Sequence, residues 1–195
     1  ETIYINDVKT GVQTTYREDG GIFYTTSYMN DLEHGIYTEY YENGITKFIT
    51  TYKNGKIDGT QAKFNEQGKI TFEWQYKEGV TTRHAEYSYR DNGSKHFKRN
   101  YIGGKQSGIT IAYSDSGEIE QKSNFEAGVQ NGLTENFYAS GELHKKLWYV
   151  DGKQDGHQFL YHKNGTLLSE FLMKKGSKNG VIHFYYKDGS LNFTD

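Results

Sequence analysis

The stretch Thr51–Gly59, TYKNGKIDG, closes a run of alternating polar and apolar residues with a compact set of turn residues, and nearly the same set returns as YVDGKQDG at Tyr149–Gly156. An Asn-Gly or Asp-Gly pair between alternating segments is the strongest short-range hairpin signal. Its return asks how far the repetition extends. Marking each glycine that closes a polar turn of the ENG kind gives Gly20, Gly44, Gly68, Gly93, Gly117, Gly141, Gly165 and Gly189, spaced by 24 residues and once by 25. Four residues before each stands Tyr16, Tyr40, Phe64, Tyr89, Tyr113, Phe137, Tyr161 or Tyr185. A second turn series runs through Asp7, Asp31, Gly55, Gly79, Gly104, Gly128, Gly152 and Gly176, and four residues after these come Gly11, Gly35, Gly59, Gly108, Gly132, Gly156 and Gly180. The gap in that last column is the fourth unit, where Arg83 or His84 replaces the glycine and where the extra residue falls. Three columns in phase over eight units define a repeat architecture.

Each unit holds two segments of about eight residues, rich in Tyr, Phe, Thr and Ile and alternating with period two, which reads as a β-hairpin. Reading ENG as a three-residue loop with glycine in the left-handed position sets Tyr41 opposite Ile45 and Tyr40 opposite Thr46. Strict alternation then puts Ile36, Thr38, Tyr40, Thr46, Phe48, Thr50 and Tyr52 on one side. In the third unit the same register separates Thr60, Ala62, Phe64, Ile70, Phe72, Trp74 and Tyr76 from a wholly polar side. The expected fold is all-β: eight tandem hairpins of about 24 residues forming one long, twisted, curled antiparallel meander, a solenoid-like sheet that occupies residues 1–195 as a single repeat domain. The fourth unit is expected to carry a bulge or bend between Gly79 and Tyr89.

Composition limits the function classes. The 18 Tyr, 11 Phe and 2 Trp argue for a folded chain despite 23 Gly, since disordered chains lack such apolar bodies. A formal charge of −2 supplies no field for a nucleic-acid backbone or an anionic membrane surface. No apolar run approaches the roughly 20 residues of a membrane-spanning helix. Neither nucleic acid nor membrane insertion is therefore expected. The absence of Cys excludes disulfides, thiolate metal sites and Cys nucleophiles. A chain that starts at Glu1 reads as processed or trimmed, which favours an exported or cell-surface mature protein over a cytoplasmic one.

The segments TYKNGKIDG, YIGGKQSG, YVDGKQDG and MKKGSKNG for one turn, and YYENG, YHKNG and YYKDG for the other, resemble the MORN repeat, and more closely the MORN variant of bacterial proteins that include the YwqK-type antitoxins. The resemblance covers all eight units and departs at KEGVTTRHAEY in the fourth. It implies a non-catalytic hairpin array used for protein contact, and in some members an antitoxin or immunity role.

Catalytic chemistry finds little support. The histidines at 34, 84, 96, 144, 157, 162 and 183 have no metal-ligand spacing. Glu118, Glu120 and Glu126 sit among Lys122 and Asn124 as on a solvated face, and DGKQDG lacks the alternating acidic ligands of a calcium loop. No catalytic residue, metal or cofactor is expected.

The nominally polar side turns apolar in the last three units. Trp148, Leu160, Leu168, Leu172, Ile182, Phe184 and Tyr186 fall there in the register above, and a second such patch is Tyr37, Tyr41, Ile45 and Ile49. Such patches either mark a binding or self-association surface or are buried because the sheet rolls and packs on itself near the C-terminus or is capped by a further domain. The reading is a non-catalytic scaffold that binds another protein or itself, through the C-terminal residues first. The alternatives are an antitoxin or immunity protein that neutralises a toxin by direct binding, and then a carbohydrate-active enzyme.

Overall fold

The computed structural model describes residues 3–195. Its packing resolves into two compact units, one ending at Glu86 and one running from Tyr87 to Asp195. The first contains β1 (Tyr4–Ile5), β2 (Val8–Lys9), β3 (Gly11–Tyr16), β4 (Ile22–Met29), β5 (Leu32–Tyr40), β6 (Thr46–Lys53), β7 (Lys56–Phe64), β8 (Ile70–Lys77) and most of β9 (Val80–Tyr89). The second contains β10 (Lys95–Ile102), β11 (Lys105–Gln106), β12 (Gly108–Tyr113), β13 (Ile119–Glu126), β14 (Val129–Phe137), β15 (Leu143–Val150), β16 (Lys153–Gln154), β17 (Gly156–Tyr161), β18 (Leu167–Lys174), β19 (Ser177–Lys178), β20 (His183–Tyr185) and β21 (Leu191–Thr194). Among the described residues there is no helix. Each unit is an antiparallel meander in which consecutive strands pair, so the chain is all-β as its repeats imply.

The ENG loops adopt the expected geometry. Gly44 has φ 79°, and its seven equivalents lie between 74° and 95°. Tyr41 N–H donates to Ile45 O at 2.8 Å and Gly44 N–H to Tyr41 O at 3.0 Å, a pattern repeated at every loop of the kind from Arg17 to Tyr186. The other turns are two-residue loops with positive φ at both positions, such as Asn54 (51°) and Gly55 (77°). This is the type I′ geometry that matches strand twist.

One residue beyond each ENG loop the register slips. Tyr40 opposes Thr46, but Glu39 opposes Phe48, so β5 advances one residue while β6 advances two and Lys47 is extra. The same bulge recurs at every such hairpin described, as at Ala112/Tyr113, Asn136/Phe137 and Leu160/Tyr161. It corrects the face assignment made from strict alternation. Tyr37 and Glu39, not Ile36 and Thr38, share a face with Phe48, Thr50 and Tyr52, and Phe72 and Trp74 oppose Lys63 and Gln61. Polar residues are tolerated on this aromatic face because a long side chain lays its stem on a ring and keeps its charge at the rim. Lys63 Nζ, for example, stands 5.8 Å from the Phe48 ring centre.

A second slip follows each type I′ turn. Tyr52 opposes Ile57 while Thr50 opposes Gln61, so β6 advances two residues and β7 four, with Gly59 in the slack at φ 115°. Before the slip the Ile57 carbonyl points away from β6 and accepts Gly79 N–H from the next turn at 2.8 Å. The fourth repeat differs as expected, though the ladder is interrupted elsewhere too. Tyr76 opposes Thr81 and Gln75 opposes Arg83, a slip of one residue at Thr82 instead of two around a glycine, and Thr82 Oγ1 donates to Gln75 O at 3.0 Å.

In the first unit the central row of the aromatic face sets small threonines on either side of a large ring. In the first unit, Thr26 opposes Tyr37, Tyr37 opposes Thr50 and Gln61 opposes Trp74. Thr26 and Thr50 are 2% exposed, and the Tyr37 ring stacks on Tyr24 at 5.5 Å. In the second unit, Thr110, Ser123, Thr134, Gln158 and Ser169 are buried on the matching face. Some of the buried hydroxyls are satisfied by amides, since Gln61 Nε2 donates to Thr50 Oγ1 at 3.0 Å and Gln130 Nε2 to Thr134 Oγ1 at 2.8 Å, whereas Thr26 Oγ1 and Ser123 Oγ have no hydrogen-bond partner. Gln158 goes further, accepting Trp148 N–H at 2.9 Å and donating to Gly156 O at 3.0 Å across the opening left by the slip.

Two predictions follow from these contacts. An added Cβ at Gly44 meets nothing within 4 Å, whereas at Gly59 it lies 3.3 Å from Thr51 Cβ. Gly44→Val therefore costs about 1–3 kcal/mol through backbone strain alone, and Gly59→Ala lowers the urea midpoint more than Gly44→Ala does. Equal midpoints for the two alanine variants would contradict the account. Gln158→Leu leaves a buried Trp148 N–H unsatisfied and costs about 1–3 kcal/mol. An unchanged midpoint for that variant would show that the amide does not bridge the opening.

Candidate functional surfaces

The register separates the C-terminal residues that strict alternation had grouped. Trp148 opposes Leu133, Lys146 opposes Phe159, Phe159 opposes Glu170 and His157 opposes Leu172. Trp148 and Leu172 thus share a face with Phe159, whose ring meets Trp148 edge-on at 5.9 Å. Leu160 and Phe184 lie on the other face, joined through Ser169, which opposes both. Leu168 is the extra residue of a bulge. Ile182 is 7% exposed and exchanges both backbone hydrogen bonds with Asp195. Tyr186 opens the final loop and is exposed. In the earlier patch, Tyr37 and Ile49 fall on opposite faces, Ile45 closes a loop, and Tyr41 donates its hydroxyl to Phe64 O at 2.7 Å.

That Tyr41 contact belongs to a column. The residue before each ENG loop reaches the carbonyl one hairpin ahead wherever its side chain is long enough. Arg17 donates to Tyr40 O, Arg90 to Tyr113 O, and Tyr138 to Tyr161 O at 2.7 Å, while His162 Nε2 stands 3.2 Å from Tyr185 O. Short residues in the same column cap their own loop instead: Asn65 Oδ1 accepts Lys69 N–H at 2.9 Å, and Ser114 Oγ accepts Glu118 N–H at 3.2 Å. Sequence reasoning noticed the column's neighbours but not the column, because its residue types differ while its reach is shared.

The first unit bears a groove of about 540 Å³ lined by Arg17, Phe23, Glu39, Tyr41, Asn43 and Lys47. Its cations are engaged: Lys47 Nζ pairs with Glu39 at 2.8 Å and Arg17 also donates to Ile22 O at 2.7 Å. Among the described residues no group of three His, Asp or Glu side chains is placed to hold a metal ion. No helix there is long and apolar enough to cross a membrane. Sequence reading also missed the apolar ends: Val12, Tyr16 and Phe23 in the first hairpin and Leu191 and Phe193 in the last are 39–56% exposed.

Geometry of this kind, hairpins in register with side chains bridging each to the next, defines a non-helical repeat array. The family model of the MORN repeat variant matches residues 33–54 and 154–175, so the chain carries MORN-variant repeats, with one matched stretch in each unit. MORN repeats are generally modules with protein-binding and scaffold roles, and the family is typically non-enzymatic. No curated protein matches the chain.

Burial against Tyr24 and Thr50, with Glu39 nearby, pushes the Tyr37 phenol up from 10.0 to about 12. Because the fold holds that proton more tightly than the unfolded chain does, the stabilisation is complete below pH 10 and is lost between pH 10 and about 12. Ultraviolet phenolate titration should lose its latest-titrating component in Tyr37→Phe, leaving the phenols of Tyr52, Tyr89, Tyr161 and Tyr185, which are also shifted upward. A titration curve that keeps that latest component in the variant would place the effect elsewhere.

Proposed function

We propose that this chain is a non-catalytic scaffold that binds another protein, and that the contact is made by the face of the second unit carrying Trp148, Phe159 and Leu172. The observation that supports this reading most is the Trp148–Phe159 edge-to-face pair at 5.9 Å on a single sheet layer, with Leu172 on the same face. Both rings remain only half-buried. Trp is among the residue types that dominate interface energetics, and a hot spot costs about 2 kcal/mol or more when truncated. Lys146, Glu135 and Glu170 lie on the same face, so an apolar centre is framed by charges of both signs, as at protein interfaces.

The test is Trp148→Ser combined with Leu172→Ser, with circular dichroism as the fold control and partner capture from native lysate as the readout. The expected outcome is a folded protein whose capture falls by more than about tenfold, from roughly 1.4 kcal/mol per decade of affinity. Undiminished capture by the folded double variant would remove this face from the function.

A further inference from the structure

We propose that Asn92 is an N-glycosylation acceptor of the folded chain, taking a sugar activated as its nucleoside diphosphate. The sequence holds three Asn-x-Ser/Thr triplets, at Asn92–Ser94, Asn164–Thr166 and Asn192–Thr194. Such a triplet serves as an acceptor where it lies on the surface with its amide within reach of a transferase. The three differ in how the fold holds that amide.

An asparagine just before the glycine of an ENG-type loop is ordinarily tied to the hairpin ahead. Asn43 Nδ2 donates to Glu66 O at 3.2 Å, and Asn164 Nδ2 donates to Lys187 O at 2.9 Å. The Thr166 hydroxyl joins the second of these contacts, 2.7 Å from Asn164 Oδ1 and 3.1 Å from Lys187 O. Both ends of the Asn164 carboxamide are therefore engaged, and its nitrogen must give up a bond between repeats before it can react. Asn192 is part of β21, an extended segment rather than a loop.

At Asn92 the tie is missing, and Arg90 makes the contacts to the loop ahead instead. Its guanidinium donates to Ser114 O at 2.9 Å and to Tyr113 O, and it pairs with Asp115 at 2.8 Å. The loop keeps its shape without help from the asparagine nitrogen. Gly93 N–H donates to Arg90 O at 2.8 Å, and Arg90 N–H donates to Ser94 O at 2.9 Å. Asn92 Oδ1 accepts the Ser94 N–H at 2.9 Å and the Ser94 hydroxyl at 2.8 Å. These two bonds hold the carboxamide by its oxygen, while Nδ2 meets no acceptor among the described residues and the side chain is exposed. The acceptor nitrogen is thus left to solvent without the loss of any bond between repeats. In the transfer, Nδ2 forms a bond to the anomeric carbon as the bond from that carbon to the diphosphate breaks. The diphosphate leaves with the electron pair, and the nitrogen gives one proton to a base of the transferase.

The experiment incubates the folded 195-residue chain with a soluble asparagine glucosyltransferase and UDP-glucose, and maps added hexose by peptide mass spectrometry. Synthetic peptides of residues 85–99 and 157–171 are the unstructured controls. Hexose is expected on Asn92 of the folded chain and not on Asn164, whereas both peptides accept it. Asn92→Gln and, separately, Ser94→Ala should each abolish the modification while leaving circular dichroism unchanged. Hexose appearing on Asn164 of the folded chain as fast as on Asn92 would overturn the proposal, because the bond to Lys187 O would then protect nothing. So would an unmodified Asn92 in the folded chain, whichever peptides react. Neither result bears on the Trp148 face, whose residues all lie outside this loop.

Discussion

The hydrogen bond from the second residue of a type I′ turn to a carbonyl one repeat earlier, made by Asp31, Gly55, Gly79, Gly128, Gly152 and Gly176, is the contact on which the array depends. In a two-residue turn that N–H is not used by the turn itself, and in a plain ladder the acceptor carbonyl would already be taken. The acceptor lies two residues before Gly35, Gly59, Gly132 and their equivalents, where the carbonyl points away from the preceding strand and the next turn can reach it. Gly55 then donates to Glu33 O at 2.8 Å and Gly128 to Gln106 O at 2.8 Å. The glycine is required because its φ, 101° at Gly35 and 115° at Gly59, lies where side-chain-bearing residues are strained.

From that contact the rest follows in order. The slip opens the ladder, and the opening is closed by a polar side chain such as Gln158, which is fully buried. In the first unit Thr26 and Thr50 flank the Tyr37 ring, and in the second Thr110, Ser123 and Thr134 lie side by side in the row. The interior is therefore polar in composition and still water-excluding, which accounts for a folded chain with 34% hydrophobic residues. The fourth repeat has no glycine there, and the Thr82 hydroxyl takes the Gln75 carbonyl as the Asp155 N–H takes Trp148 O in a later repeat.

The turns were legible in the sequence because Gly44, Gly55 and their equivalents occupy positions where backbone geometry leaves little choice. The faces were not. A one-residue bulge at Lys47 reverses the side of everything N-terminal to it, and no residue type there announces it. The clean polar and apolar separation in the third unit was misleading, because Lys63 and Gln61 sit on the aromatic side with Phe72 and Trp74. The same effect divided the C-terminal group, leaving Trp148 and Leu172 together and sending Leu160 and Phe184 to the opposite face. The column formed by Arg17, Tyr41, Arg90, Tyr138 and His162 was hidden for a different reason. It is defined by the reach of a donor rather than by residue identity.

Amide hydrogen exchange at the type I′ turns tests this account most directly. Turn tips on a surface ordinarily exchange within the time of mixing, and low protection is the rule for exposed loops. The account predicts that Gly55, Gly79, Gly128, Gly152 and Gly176 are protected well above peptide rates, and that Gly59→Ala reduces protection at Gly79, whose acceptor Ile57 O depends on the slip. Exchange of these five amides at unstructured-peptide rates would contradict it, since the repeats would then be joined by their strand ladders alone.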